Sequence, residues 1–371
     1  MTAYTAELVT DPVALARLAG EWERLYRSCG TATPFQSHPW LHAWWRSYGR
    51  PGRLRLWLVR AGGAARGTLV AAAPLTAVRR PLPALVPLGG PLSDWTDVLV
   101  DDEHREPALA ALGDALASAA RTAVIDLPEV RPGGAAELLY DRWSGPRRTL
   151  PGSVCLELPG GPMNTLIARL GSAKAQQRAR AQLRRLDALG VERRAVEPGE
   201  VDKALRRLQE LHRLQWQGRK VTGEHLTDRF LEHLVRAAGP MVRAGDAVVT
   251  EFRLEDDVVA VDLTLLSPRM AGGYLYGAHP CLRERKADVA VMLLQACAAH
   301  TSAGGGRGTL SLLRGEEPYK LHWRPERVPN SRLLLARATT APLLAAAVAR
   351  DTARRRAKEV LRRREGRSAG P

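Results

Sequence analysis

The order of apolar runs in the second half of the chain constrains the fold most. AVVTEFRLEDDVVAVDLTLLS reads as two strands hinged at Glu255-Asp256-Asp257. Acidic turn residues between two alternating runs are a hairpin signal. MAGGYLYGAHP, Met270 to Pro280, gives a third strand, and Ala287 to His300 a helix with Val291, Leu294 and Ala298 on its apolar face. After the loop GGGRG, TLSLLRG (Thr309 to Gly315) gives one more strand. Hairpin, strand, helix, strand is an α/β order, in which ligands sit at the edge where strands turn into helices. A chain of 371 residues exceeds one average domain, so two are expected.

The strand from Thr309 runs into LLRGEEPYKLHW, Leu312 to Trp323. Glu316, Glu317, Tyr319, Lys320, His322 and Trp323 crowd a stretch that follows an apolar strand, where a carboxylate is held rigidly. That is either a charged surface turn or the rim of an active site. Two carboxylates, a phenol and an amine, those of Glu316, Glu317, Tyr319 and Lys320, are groups that can move a proton or hold a charged partner. Trp323 reads first as a packing anchor and second as a substrate contact. Tyr274 and Tyr276 alternate with Leu275 and are expected to share a face. His212 and Trp216 are one helical turn apart and share a face.

The first half begins with helical spacing from Pro12 to Cys29 (Val13, Leu15, Leu18, Trp22, Leu25). In TPFQSHPWLHAWWRSYG, Ser37 is an expected N-cap and Pro39 falls in the first turn. Its tryptophans read as core. Strands are expected at Leu54 to Ala61, Gly67 to Val78, Thr96 to Val100, Thr122 to Val130 and Ser153 to Pro159, with helices at His104 to Ala120 and Ala135 to Trp143. The second half opens on a basic helix, Gly171 to Arg194, capped by Ser172 and ended by Gly190. Lys174, Arg178, Arg180, Arg184 and Arg185 lie on it. It reads as a site for the anionic part of a cofactor, as an RNA contact, or as a solvated face. A strand from Arg332 to Ala338 and a basic C-terminal helix close the chain.

Net charge is +16, which suits anionic partners or reflects arginine used for solubility. The four cysteines form no CxxC pair and have no histidine at metal-ligand spacing, so no metal site and a reduced, cytoplasmic setting are expected. No signal peptide pattern opens the chain, and no run approaches the roughly 18 apolar residues of a membrane span.

Four stretches carry a resemblance to a known family: TPFQSHPWLHAWWRSYG, GSAKAQQRARAQLRRLDALG, LHRLQWQGRK and LSLLRGEEPYKLHW. The chain, from about residue 10 to 335, resembles the bacterial CelD-like (cellulose-biosynthesis-type) acetyltransferases of the GNAT superfamily, which are similar to Fem-type aminoacyltransferases. The last stretch, a strand followed by Arg-Gly-Glu-Glu-x-Tyr-Lys-x-x-Trp, is the most specific.

The resemblance implies an α/β (α+β) fold of two tandem GNAT-like (acyl-CoA N-acyltransferase) domains, each a mixed sheet flanked by helices. The expected division is 1–158, 159–340 with the donor site, and a basic helix 341–371. It further implies acetyl-CoA or another acyl-CoA as co-substrate, an amine acceptor such as an amino sugar or small metabolite, and direct attack in a ternary complex. Glu316, Glu317 and Tyr319 are then the expected catalytic residues. Tyr276, Gly277, Arg283, Arg285, Lys286 and Lys320 would meet the cofactor. Lys174, Arg178, His212, Trp216 and Trp323 would meet the substrate. Two alternatives stand beside this: a tRNA-dependent aminoacyltransferase of Fem type, and a GNAT-like binding protein without catalysis. The chain departs from the family after Tyr276-Gly277-Ala278, where Leu282 to Asp288 replaces the usual small-residue turn and no Gly-rich loop follows. Arg283, Arg285 and Lys286 are the charges available there in its place.

Overall fold

The computed structural model describes residues 2–63, 67–79, 81–215, 217, 223–302 and 307–368. In the first half the chain forms β1 (Tyr4–Val9), α1 (Pro12–Arg17), α2 (Ala19–Ser28), α3 (His38–Tyr48), β2 (Leu54–Ala61), β3 (Thr68–Val78), β4 (Ala84–Pro87), β5 (Leu99–Val100), α4 (Arg105–Ala119), β6 (Val124–Val130), α5 (Ala135–Asp141) and β7 (Arg147–Pro159). The second half forms α6 (Met163–Ala168), α7 (Ala173–Ala188), β8 (Glu192–Ala195), α8 (Val201–Gln215), α9 (Asp228–Ala244), β9 (Ala247–Leu254), β10 (Asp257–Leu266) and β11 (Met270–Ala278). It ends with α10 (Cys281–Glu284), α11 (Val289–Ser302), β12 (Thr309–Arg314), α12 (Pro318–Leu321), β13 (Glu326–Leu335) and α13 (Ala341–Ser368).

One mixed sheet runs through the molecule in the order β1-β2-β3-β4-β6-β13-β7-β12-β11-β10-β9-β8, with β5 on β3. It reads alike from both ends. Four antiparallel strands come first, β1 to β4 on one side and β8 to β11 on the other. Each set meets a parallel neighbour across a helix, β4 with β6 and β11 with β12. Each half then donates its last strand to the other. β7 pairs with β12, β13 pairs with β6, and the two pair with each other. The irregularities repeat too. The register shifts opposite Leu127 to Val130 in β6 and between Ser311 and Arg314 in β12.

Helices cover both faces. On one, α2, α3, α8 and α9 share an apolar core across the two halves, with Trp22, Trp40, Leu208 and Phe230 buried. On the other, α4 and α5 cover the first half, while α6, α7 and α11 cover the second. The tryptophan-rich α3 is core, as its sequence predicts: Trp40 is fully buried and its Nε1 donates to Ser93 Oγ at 2.9 Å. Ser37 holds the N-cap position of α3 but makes no side-chain cap bond. The capping box lies one turn earlier, at Thr33 and Gln36.

Several expectations are corrected. The helix from Pro12 to Cys29 is two helices, because the chain tightens at Leu18, whose N–H is shared between Ala14 and Leu15. β1 has no clean alternation and is an edge strand, so its pattern is silent in the sequence. β13 begins at Glu326, ahead of the expected Arg332. Pro329 hides that start, and it sits where the register shifts, a place that tolerates a missing N–H. The basic helix behaves as expected. Ser172 accepts the N–H of Ala175, and Gly190 takes φ 69° just beyond the end. Among the described residues no helix is long and apolar enough to cross a membrane.

Candidate active site

β11 and β12 pair only at Met270↔Thr309, Ala271↔Leu310 and Gly272↔Ser311. Beyond Gly272 the strands part, and α11 crosses over the gap. A pocket of ≈ 130 Å³ opens there, walled by Leu293, Leu294 and Leu312 and floored by Asp262 and Gly273, with Tyr276, Tyr319 and Lys320 at its polar end. β11 reaches this gap through a bulge. Leu263 pairs with Leu275, but the next residue, Thr264, pairs with Gly273, leaving Tyr274 as the extra residue. A bulge turns two successive side chains to one side. Tyr274 therefore does not share a face with Tyr276. Its ring packs on Trp40 and Phe35, and its hydroxyl donates to the Leu92 carbonyl at 2.9 Å, while Tyr276 lies with the α11 core.

Asp262 is the residue that sequence reasoning missed. Its side chain is buried, and Oδ2 accepts the Thr264 hydroxyl at 2.6 Å. Burial pushes its pKa up to about 7, against the pull of that hydrogen bond. The local signal is a lone carboxylate inside the apolar run VVAVDLTLL. Cys297 lies in the same wall, and burial first, then Asp262, drive its thiol pKa far up, so it holds no thiolate to act as nucleophile.

The residues after β12 form the rim. Lys320 Nζ donates to the Arg314 carbonyl at 2.7 Å and pairs with Glu317 at 2.9 Å. Glu317 folds over Gly315, whose φ is 105°. Glu316 pairs with Arg327 on the outer side. Tyr319 is half exposed and lines the pocket with the rest of its ring; burial, then Tyr276 and Glu317, raise its pKa, so it keeps its proton. Arg314 anchors the strand end on Asp94 at 2.5 Å and on the Pro91 carbonyl at 2.7 Å.

His212 stands behind the pocket. Its Nδ1 donates to the Tyr276 carbonyl at 2.7 Å, which fixes the tautomer, and burial lowers its pKa. Gln215 donates to the Tyr276 hydroxyl at 3.0 Å and accepts the Ala278 N–H at 3.1 Å. Trp216 lies outside the described residues. Gly277 is pressed against α8: a Cβ there would stand 2.3 Å from the Leu208 carbonyl oxygen.

A second pocket of ≈ 260 Å³ adjoins the first through Tyr319 and Ala290. Arg178 of α7, Asp288 at the start of α11, His322 and the buried Trp323 line it. Lys174 is exposed on the same helix. Arg283, Arg285 and Lys286 are exposed and line neither pocket; Arg285 lies 3.7 Å from Glu255.

The apolar gap and its polar end fit the acyl and pantetheine portion of an acyl-CoA. The α11 N-terminus fits its diphosphate poorly. Asp288 Oδ1 already accepts the Val291 N–H at 3.1 Å, placing a carboxylate where a phosphate would need open N–H groups. Among the described residues no cluster of side chains could hold a metal ion.

Residues 173–321, from α7 to the end of α12, match the acetyltransferase (GNAT) domain family. Solved structures share the fold over nearly the whole chain. FemX matches with a TM-score of 0.57 at 11% identity, covering 85% of this chain and 95% of that one. L-PGS from Bacillus licheniformis matches at 0.56 and 14%, covering 92% and 96%. A protein of unknown function from Bacteroides thetaiotaomicron VPI-5482 matches at 0.53 and 11%, covering 90% and 100%. At these identities the likeness is one of fold. No curated protein matches the chain in sequence.

Proposed function

We propose that the second half, residues 159–340, is an N-acyltransferase that moves an acyl group from an acyl-CoA, acetyl-CoA first, to a small amine. The observation that carries this is Asp262, a buried carboxyl with a pKa of about 7 in the floor of a slot with leucine walls, within the stretch that matches the GNAT domain family. A base poised near the working pH is what deprotonating an amine asks for.

A bound acyl-CoA supplies the activated carbonyl. The chain's own residues do the rest. The slot between β11 and β12 excludes water and aligns the acyl group. The neutral amine attacks, a C–N bond forms and the C–S bond breaks with its electron pair on sulfur. Asp262 takes the amine's proton, and Tyr319 gives its hydroxyl proton to the leaving sulfur and regains one from solvent. Glu317 holds Lys320 at the mouth, Tyr276 is steadied by His212 and Gln215, and Glu316 with Arg327 shapes the outer rim. No acyl-enzyme forms, consistent with the protonated Cys297. The motif LSLLRGEEPYKLHW supports a CelD-like member of the superfamily working in the cytoplasm, where acyl-CoA is made.

The test is thiol release from acetyl-CoA across a panel of amino sugars and small amines. Amine-dependent release that Asp262→Asn abolishes is expected. Full release by Asp262→Asn would remove the carboxylate from the mechanism.

A second reading is a tRNA-dependent aminoacyltransferase of Fem type. Asp288 favours it, because a carboxylate on the α11 end disfavours the diphosphate of CoA there. Transfer from charged tRNA, with none from acetyl-CoA, would establish that reading.

A further inference from the structure

Resting on the acyl-CoA reading, we propose that the nucleotide end of the donor, with its phosphates, binds in the pocket between α7 and α12 and against α7, not at the N-terminus of α11.

The pocket is in the right place. It is continuous with the acyl slot through Tyr319 and Ala290, so a ligand filling the slot extends into it without crossing the sheet. Its charge is divided. On the α11 side stands Asp288, tied to the helix end. On the α7 side stands Arg178, with no carboxylate partner among the described residues. Lys174, Arg178 and Arg185 fall at i, i+4 and i+11, within about 40° of one another around a helix of 3.6 residues per turn. All three are exposed. Ala175, Ala179, Leu183 and Leu186 bury the adjoining face, and Ala179 and Gln182 line the pocket beside Arg178. The stripe therefore borders the pocket, while Arg180 and Arg184 lie on the opposite flank of the helix. Charge-assisted bonds from such a row suit phosphate oxygens.

The rings of Tyr319 and His322 line the same pocket and give the base of the nucleotide a surface to lie against.

Calorimetry of the full chain with CoA, pantetheine and total tRNA, each at two salt concentrations, tests this. CoA binding should weaken tenfold or more in the triple variant Lys174→Ala, Arg178→Ala, Arg185→Ala, and pantetheine binding should not change. The control Arg180→Ala, Arg184→Ala should stay within about threefold for CoA. CoA binding that ignores the triple variant overturns this proposal alone and leaves the slot standing. Equal loss in the triple variant and the control reduces α7 to a general field, and also overturns it. No binding of CoA or pantetheine, with salt-sensitive tRNA binding lost in the triple variant, overturns both readings in favour of RNA on α7.

Discussion

Asp262 and Thr264 lie on the same face of β10, two residues apart, and the Thr264 hydroxyl donates to the Asp262 carboxylate at 2.6 Å. That bond stabilises the ionised form, while burial opposes it more strongly. Acyl transfer should therefore rise with pH through about 7 as Asp262 loses its proton. Thr264→Val removes the bond and should move that limb upward by roughly one pH unit, the size of one hydrogen bond to a charged group. The pH profiles of kcat/KM for the two proteins check this. An unmoved limb would assign it to another group.

The same raised pKa makes a stability prediction of definite sign. Unfolded, Asp262 titrates near ~4; folded, near about 7. Between those values the folded protein holds a proton that the unfolded chain has released, so stability falls as pH rises. Asp97, buried with its pKa also raised, contributes in the same direction. Asp262→Asn isolates its own share. Urea unfolding at pH 4.5 and 8 should show a fall in wild-type stability larger than the variant's by ~3 kcal/mol.

On the rim, the three expected catalytic residues should separate. Tyr319→Phe removes the proton donor and should lower kcat roughly 10- to 100-fold with little change in KM. Glu317→Ala releases Lys320 from its 2.9 Å pair and should cost about tenfold or less. Glu316→Ala breaks only the outer pair with Arg327 and should cost less again. Steady-state kinetics of the three variants side by side decides the order.

Gly277 tests the packing behind the site. An added Cβ meets the backbone of α8 at the Leu208 carbonyl and, at 2.5 Å, the His212 nitrogen, and neither can swing aside. Gly277→Ala should cost about 1–3 kcal/mol, lower Tm by a few degrees and raise KM by pushing His212 off the Tyr276 carbonyl. An unchanged Tm would show that α8 is free to move.

Sequence pattern revealed the elements of the second half well, because β9 to β12 alternate or run apolar between clear turns. The acidic hinge at Glu255 is such a turn, and Glu255 takes φ 58° there. Long-range placement was not legible. Nothing local in Arg147–Pro159 or Glu326–Leu335 says that each strand crosses to the other half's sheet. The bulge at Tyr274 was hidden because a one-residue slip leaves the composition unchanged while reversing a face. Asp262 escaped for a related reason: its burial comes from α11, some thirty residues further along the chain. Glu129 and Leu313 show the repeat most plainly. Each is a non-glycine residue at φ 57°, at matching points of β6 and β12, yet the two share no sequence feature.

Because the halves repeat one topology, the central claim is that the donor enters the gap beside β11 and not its counterpart beside β4. In the first half, Leu85, Ile125, Leu109 and Leu112 join one apolar core. Hydrogen–deuterium exchange with and without acetyl-CoA reads this directly. Protection confined to Met270–Ala278, Val289–Ser302 and the turn after Arg314 is the expected result. Protection at Ala84–Pro87 and Val124–Val130, or at neither gap under saturating acetyl-CoA, would contradict it.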